Sequence, residues 1–180
     1  MSKEFSARAL DVKAFAEAQV ELSGAVTSGD CERLMAETEG RGADRPIAWR
    51  ARGEVRNPRH VHPDIWLHLQ ADAVLSLTCQ RCLAPVDVPL SIDRDFRFVA
   101  DEATAEAEDD QCEEDLLVTS RSFDLAGLIE DELLMDMPLV PQHGACPQPL
   151  VRSVSDPEFE EESPKENPFA ALARLRGGAP

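Results

Sequence analysis

"DIWLHLQADAVLSLTC" runs from Asp64 to Cys79. Apolar residues take every second place at Ile65, Leu67 and Leu69, and return at Val74, Leu75 and Leu77. A period of two sends successive side chains to opposite faces of an extended chain, so this reads as a strand with one face toward a core. The flanking sequence repeats the pattern. Upstream, "IAWRARGEV" (Ile47–Val55) puts Ile47, Trp49, Ala51 and Gly53 on one face and Arg50, Arg52 and Glu54 on the other. Downstream, "VDVPLSIDRDFRFV" (Val86–Val99) alternates through Val86, Val88, Leu90 and Ile92 to Phe96 and Phe98. Long strands with short connections, all within Pro46–Val99, predict an antiparallel meander.

Helical signals lie on either side. "DVKAFAEAQV" (Asp11–Val20) is Ala-rich and opens on a capping Asp11. "VELSGAV" (Val20–Val26) reads as a short strand, and "SGDCERLMAET" (Ser28–Thr38) as a short helix capped by Asp30 with Leu34 and Met35 inward. The strongest helix is "SFDLAGLIEDELLMDMP" (Ser122–Pro138): Asp124 caps it, Leu125, Leu128, Ile129 and Leu133 form its stripe, and Pro138 stops it. The predicted fold class is α+β: an antiparallel β-sheet meander, a few short helices, one main C-terminal amphipathic helix and a disordered acidic C-terminal tail. Residues 1–150 are expected to form a single domain with an acidic loop at about 101–115. Residues 151–166 read as a disordered acidic linker and 167–180 as a short C-terminal motif.

The net charge of −17 is unevenly placed. Residues 1–100 hold 15 acids and 13 bases, whereas residues 101–180 hold 20 acids and 5 bases. Such a chain repels bulk nucleic acid and attracts basic protein. No window of 18 apolar residues exists and the N-terminus lacks the apolar core of a secretory signal, so no membrane is expected and the location reads as cytoplasmic. Five cysteines, an odd number, read as thiols and not as a disulfide framework.

Four residues repeat one spacing. Cys79 and Cys82 stand in "LTCQRCLAPV", and His143 and Cys146 in "LVPQHGACP", each pair with two residues between. Zinc takes four N or S donors in a tetrahedron, and this spacing lets one tight turn present two of them. The set Cys79, Cys82, His143 and Cys146 is therefore a candidate metal site, with zinc the cofactor it would hold. Ordinary unliganded thiols remain the alternative. A redox pair fits less well, because the C-x-x-C follows a strand and does not open a helix. Cys31 and Cys112 lack partners at ligand spacing. His60 and His62 in "NPRHVHPD" read as an exposed basic turn. No phosphate loop, G-x-S-x-G or H-E-x-x-H is present.

One region is basic. Arg50, Arg52, Arg56 and Arg59 are candidate RNA contacts, with a solvated strand face as the alternative. At the far end, "NPFAALARLR" (Asn167–Arg176) carries a cap, Pro168 at the first helical position, and Phe169 and Leu172 one turn apart. Those two are candidate partner-docking residues.

Three stretches together resemble the YceD family of bacterial large ribosomal RNA subunit accumulation proteins: "CQRCLAPVDVPL" (Cys79–Leu90), "DLAGLIEDELLMDMPLVPQHGAC" (Asp124–Cys146) and the closing "NPFAALARLR". The resemblance implies a small cytosolic protein that supports synthesis, processing or stability of 23S rRNA, with no catalytic activity. It implies as partner a ribosomal protein of the large subunit or a pre-50S particle, with rRNA contacted directly or indirectly. Two other functions compete: a zinc-stabilised protein-interaction module with a non-ribosomal partner, and a metal-dependent RNA-processing enzyme. The enzyme is disfavoured because the acids lie in solvated tracts.

Overall fold

The computed structural model describes residues 5–60 and 63–147. The expected linker and C-terminal motif, with Phe169 and Leu172, lie outside the described residues, as does His62.

Five strands form one sheet in sequence order, β1 (Glu21–Thr27), β2 (Pro46–Arg56), β3 (Asp64–Thr78), β4 (Pro85–Val99) and β5 (Asp115–Val118). The first four are antiparallel neighbours, as the alternation requires, and β5 adds to β4 in parallel. The sheet is therefore mixed at one edge. The inner face carries Ile47 and Ala51 of β2, then Ile65, Leu67, Leu69, Ala71, Ala73, Leu75 and Leu77 of β3. Val74 departs from the sequence reading. It falls on the other parity and is 42% exposed. From β4 the same face takes Val86, Leu90, Ile92, Phe96 and Phe98.

Two helices cover this face. α1 (Val12–Ala18) starts where Asp11 Oδ1 accepts from the Ala14 N–H at 3.0 Å. It buries Phe15 and Ala16 over Gly53, where an added Cβ would stand 2.7 Å from Phe15 and 2.8 Å from the Ala16 Cα. The close helix-on-strand approach thus requires glycine. The main helix (Leu125–Asp136), called α4 below, is capped by Asp124, which accepts from the Gly127 N–H at 3.0 Å. It buries Leu125, Ile129 and Leu133, while Leu128 is half-buried. Each fully buried leucine contributes about 1.5–3 kcal/mol of transfer free energy.

Between these, α2 (Glu32–Glu37) departs from the expected cap. Asp30 turns back to accept from the Thr27 N–H and hydroxyl at 3.0 and 2.8 Å, which leaves Cys31 at the N-cap without a side-chain bond. Glu130 of α4 supplies the missing acceptor, taking the Arg33 and Leu34 N–H groups at 2.7 and 3.2 Å. The acidic stretch 101–115 contains α3 (Glu102–Glu108), capped by Asp101. Half-buried Arg97 of β4 holds this excursion through Glu108 and Glu114 at 2.8 and 2.7 Å.

Candidate metal centre

Cys79 lies one residue beyond β3, in the turn that leads into β4. The turn is closed by two backbone bonds: the Cys79 N–H donates to the Ala84 carbonyl at 2.9 Å and the Leu83 N–H to the Cys79 carbonyl at 2.8 Å. Leu83 takes a left-handed conformation with φ +61°. The chain then curls so that the N–H groups of Arg81 and Cys82 face the Cys79 sulfur, and that of Ala84 faces the Cys82 sulfur. The C-x-x-C spacing and its left-handed exit are thus one device for presenting two sulfurs to one point.

The other pair comes from the strap that follows α4. The Gln80 N–H donates to the Pro141 carbonyl at 2.8 Å, and the Arg81 guanidinium donates to the carbonyls of His143 and Gly144. His143 Nδ1 lies 3.4 Å from Cys82 Sγ, and its Nε2 lies 3.0 Å from the Pro85 carbonyl oxygen. A carbonyl only accepts, so the proton sits on Nε2 and Nδ1 turns its lone pair toward the sulfurs. A ring nitrogen anchored to a backbone carbonyl is the support that a metal-ligating histidine needs.

One donor atom from each of Cys79, Cys82, His143 and Cys146 lies within 4.8 Å of all the others. Sulfurs around a tetrahedral zinc, at Zn–S distances of about 2.3 Å, are about 3.8 Å apart. A small contraction separates the two geometries. Cys79 is fully buried and the other three are half-buried. Burial opposes ionisation of Cys79, but the N–H groups of His143, Arg81 and Cys82 outweigh it and hold the thiol at about 5. At Cys82 the Ala84 N–H favours the thiolate, yet burial and the Cys79 and Cys146 sulfurs prevail and push it above the ordinary value. Thiolates so crowded repel one another, and a divalent cation among them removes that repulsion. The thiol reading without a ligand leaves this convergence of four donors unexplained, and the redox reading lacks the helix that would activate the pair.

Among the described residues this is the one cluster of at least three His, Cys, Asp or Glu side chains whose donor atoms converge. The carboxylates of 101–115 do not assemble into a second.

The four arginines sit differently. Arg50 and Arg52 share the outer face of β2, as the alternation predicts. Arg50 pairs with Glu21 of β1 at 3.3 Å. Arg56 lies 3.9 Å over the Trp66 ring and pairs with Glu54 and Asp95 at 3.2 and 3.7 Å. Arg52 and Arg59 are exposed and have no ion-pair partner among the described residues. In the β2 sequence the alternation and Glu54 are visible, but the other acids that neutralise the row, Glu21 and Asp95, come from β1 and β4. Nor did the spacing of cysteines reveal Pro85 and Arg81 as supports of the site, since both contacts depend on where the strap lands.

The fold and the cluster define a small sheet-and-helix protein whose chemistry-bearing side chains converge in one Cys3His knot. The chain belongs to the YceD family: the family model described as "Large ribosomal RNA subunit accumulation protein YceD" matches residues 67–176. A curated relative of the same description, from Haemophilus influenzae, is 34% identical over 104 residues, which cover 57% of this chain and 60% of the relative. The alignment thus spans less than two-thirds of that relative's length. No solved structure matches. All four cluster residues and α4 fall inside the span matched by the family. The family is named for accumulation of an RNA and not for a reaction. Among the described residues no helix is long and apolar enough to cross a membrane.

Proposed function

We propose that the protein is a non-enzymatic ribosome-biogenesis factor, acting in the cytoplasm, that supports synthesis, processing or stability of 23S rRNA. In this reading Cys79, Cys82, His143 and Cys146 hold a structural zinc ion. The observation that carries it is the coincidence of the family match with the four converging donors. Four protein donors close a zinc site and leave no position for a reacting water, so the ion's part is structural. It neutralises the crowded sulfurs and fixes the strap after α4 to the β3–β4 turn.

The partner in this reading is a ribosomal protein of the large subunit or a pre-50S particle. A net charge of −17 favours a basic protein over naked RNA. Direct rRNA contact, where made, falls to Arg52 and Arg59, because Arg50 and Arg56 already face carboxylates. That same neutralisation favours the second reading, a zinc-stabilised interaction module whose partner is not ribosomal.

Capture by tagged protein at moderate salt tests the choice. Recovery of pre-50S particles or a large-subunit ribosomal protein supports the first reading. Clean recovery of a non-ribosomal partner, with ribosomal components absent, supports the second. Neutralising the carboxylates of 101–115 should weaken capture of a basic partner, and added salt should mimic it.

A further inference from the structure

Leu83 is a leucine at a position whose backbone suits glycine. Its φ of +61° lies in the region where a Cβ meets the following carbonyl, and its side chain is 76% exposed. Neither conformation nor burial accounts for leucine there. On the strap beside it, Leu139 and Val140 are 100% and 59% exposed. The Gln80–Pro141 bond and the Cys82–His143 contact hold that strap against the turn, so the turn that carries Leu83 and the strap that carries Leu139 and Val140 adjoin. A crevice of about 260 Å³ opens beside the strap, lined by Met137, Pro138, Leu139 and Pro141, by Leu77, Thr78 and Gln80, and by Glu37 and Glu39. Glu39 pairs with Arg41 at 2.9 Å, whereas Glu37 has no ion-pair partner among the described residues.

We infer that this region is a docking surface for a protein segment in which leucine-like and lysine- or arginine-like side chains alternate in space. Exposed aliphatics beside a crevice call for apolar anchors. Glu37 at its wall, which has no ion-pair partner among the described residues, on a chain of net charge −17, selects a cationic segment and repels a phosphate backbone. The surface deepens the proposed function and rests on it for the source of the segment, a large-subunit assembly partner. The strain at Leu83 is then retained for binding, against the interest of stability.

A benzophenone side chain placed at position 139 of the full-length protein, irradiated in cells, tests this, with position 74 on the outer sheet face as control. The expected adduct at 139 is a protein whose crosslinked peptide carries basic and apolar residues together, with little at 74. The variant L83G should raise Tm by roughly 2–5 °C as the left-handed strain is relieved. It should also lower the adduct yield by about tenfold. Glu37→Gln should lower the yield too. An adduct with rRNA or with a second copy overturns the inference, as does a yield unchanged in both variants. Loss of 23S rRNA on gene deletion without a protein adduct at 139 overturns the docking surface and spares the biogenesis reading. A basic-protein adduct with normal 23S rRNA on deletion does the reverse.

Discussion

Cys82 Sγ and His143 Nδ1 meet at 3.4 Å although they are 61 positions apart in the chain. The paired β4 and the packed α4 already bring both ends near, so what remains to be held is the strap after Asp136. One thiol–imidazole contact contributes about 1 kcal/mol net, so a four-donor metal clamp is the stronger closure. Removing zinc with a strong chelator should therefore lower Tm by roughly 10 °C. Limited proteolysis of the stripped protein should gain a cut between Leu139 and Cys146 that the metal-loaded protein lacks. An unchanged melting curve in protein shown to be zinc-free would refute the clamp.

His143 carries two jobs on one ring. Nδ1 faces the sulfurs and Nε2–H is held by the Pro85 carbonyl at 3.0 Å. His143→Ala removes both, and zinc affinity, measured by competition with a chromophoric chelator, should fall by roughly 10- to 100-fold or more. Cysteine at the same position should restore most of it. Equal affinity in the alanine variant and the parent would remove His143 from the donor set.

Gly53 sits under α1 with no room for a side chain. A Cβ there would stand 2.8 Å from the Ala16 Cα and 2.9 Å from its nitrogen, both backbone atoms that a rotamer change leaves in place. Gly53→Ala should cost about 2–3 kcal/mol in urea unfolding. A loss under 0.5 kcal/mol would mean that α1 is not seated as described.

Glu132 of α4 is 3% exposed, and burial pushes its carboxyl above the ordinary value of 4.5, with Arg94 only partly opposing. A carboxyl whose folded pKa exceeds its unfolded one binds its proton more tightly in the folded state. Its contribution is full below the unfolded value and is lost as pH rises through the folded value. Glu132→Gln should therefore be more stable than the parent at neutral pH, by on the order of 1 kcal/mol, and the two should converge near pH 4. Arg94 keeps Asp115 at 3.2 Å as a partner in the variant. Thermal unfolding across pH reads the difference, and a variant less stable at pH 7 would show that the Arg94–Glu132 pair is net favourable.

The sheet was legible because its signal is local. Alternation from Ile47 to Phe98 needs only neighbouring residues, and the caps at Asp11 and Asp124 act within three positions. What the sequence hid depends on distant pairing. The short apolar run Leu116–Val118 marks β5 locally, but its parallel pairing with β4 depends on a distant strand and is not announced by it. Glu132 looks solvent-facing until Arg94, on the inner parity of β4, is seen reaching it at 3.3 Å. Asp30 reads as the α2 cap, but Glu130 from another helix holds that end. The four donors could be named from spacing alone. Their convergence required the strap to return to the β3–β4 turn, which Gln80 and Arg81 secure from positions that no metal motif marks.

The central claim is a biogenesis factor whose zinc knot is needed for its work. Its most direct test is the ratio of 23S to 16S rRNA in a deletion strain complemented with the parent gene or with Cys82→Ser plus His143→Ala, at matched protein levels. The account predicts a 23S deficit on deletion, full recovery with the parent gene, and little recovery with the double variant. An unchanged ratio on deletion would contradict the biogenesis role, and full recovery by a double variant shown to lack zinc would contradict the part assigned to the knot.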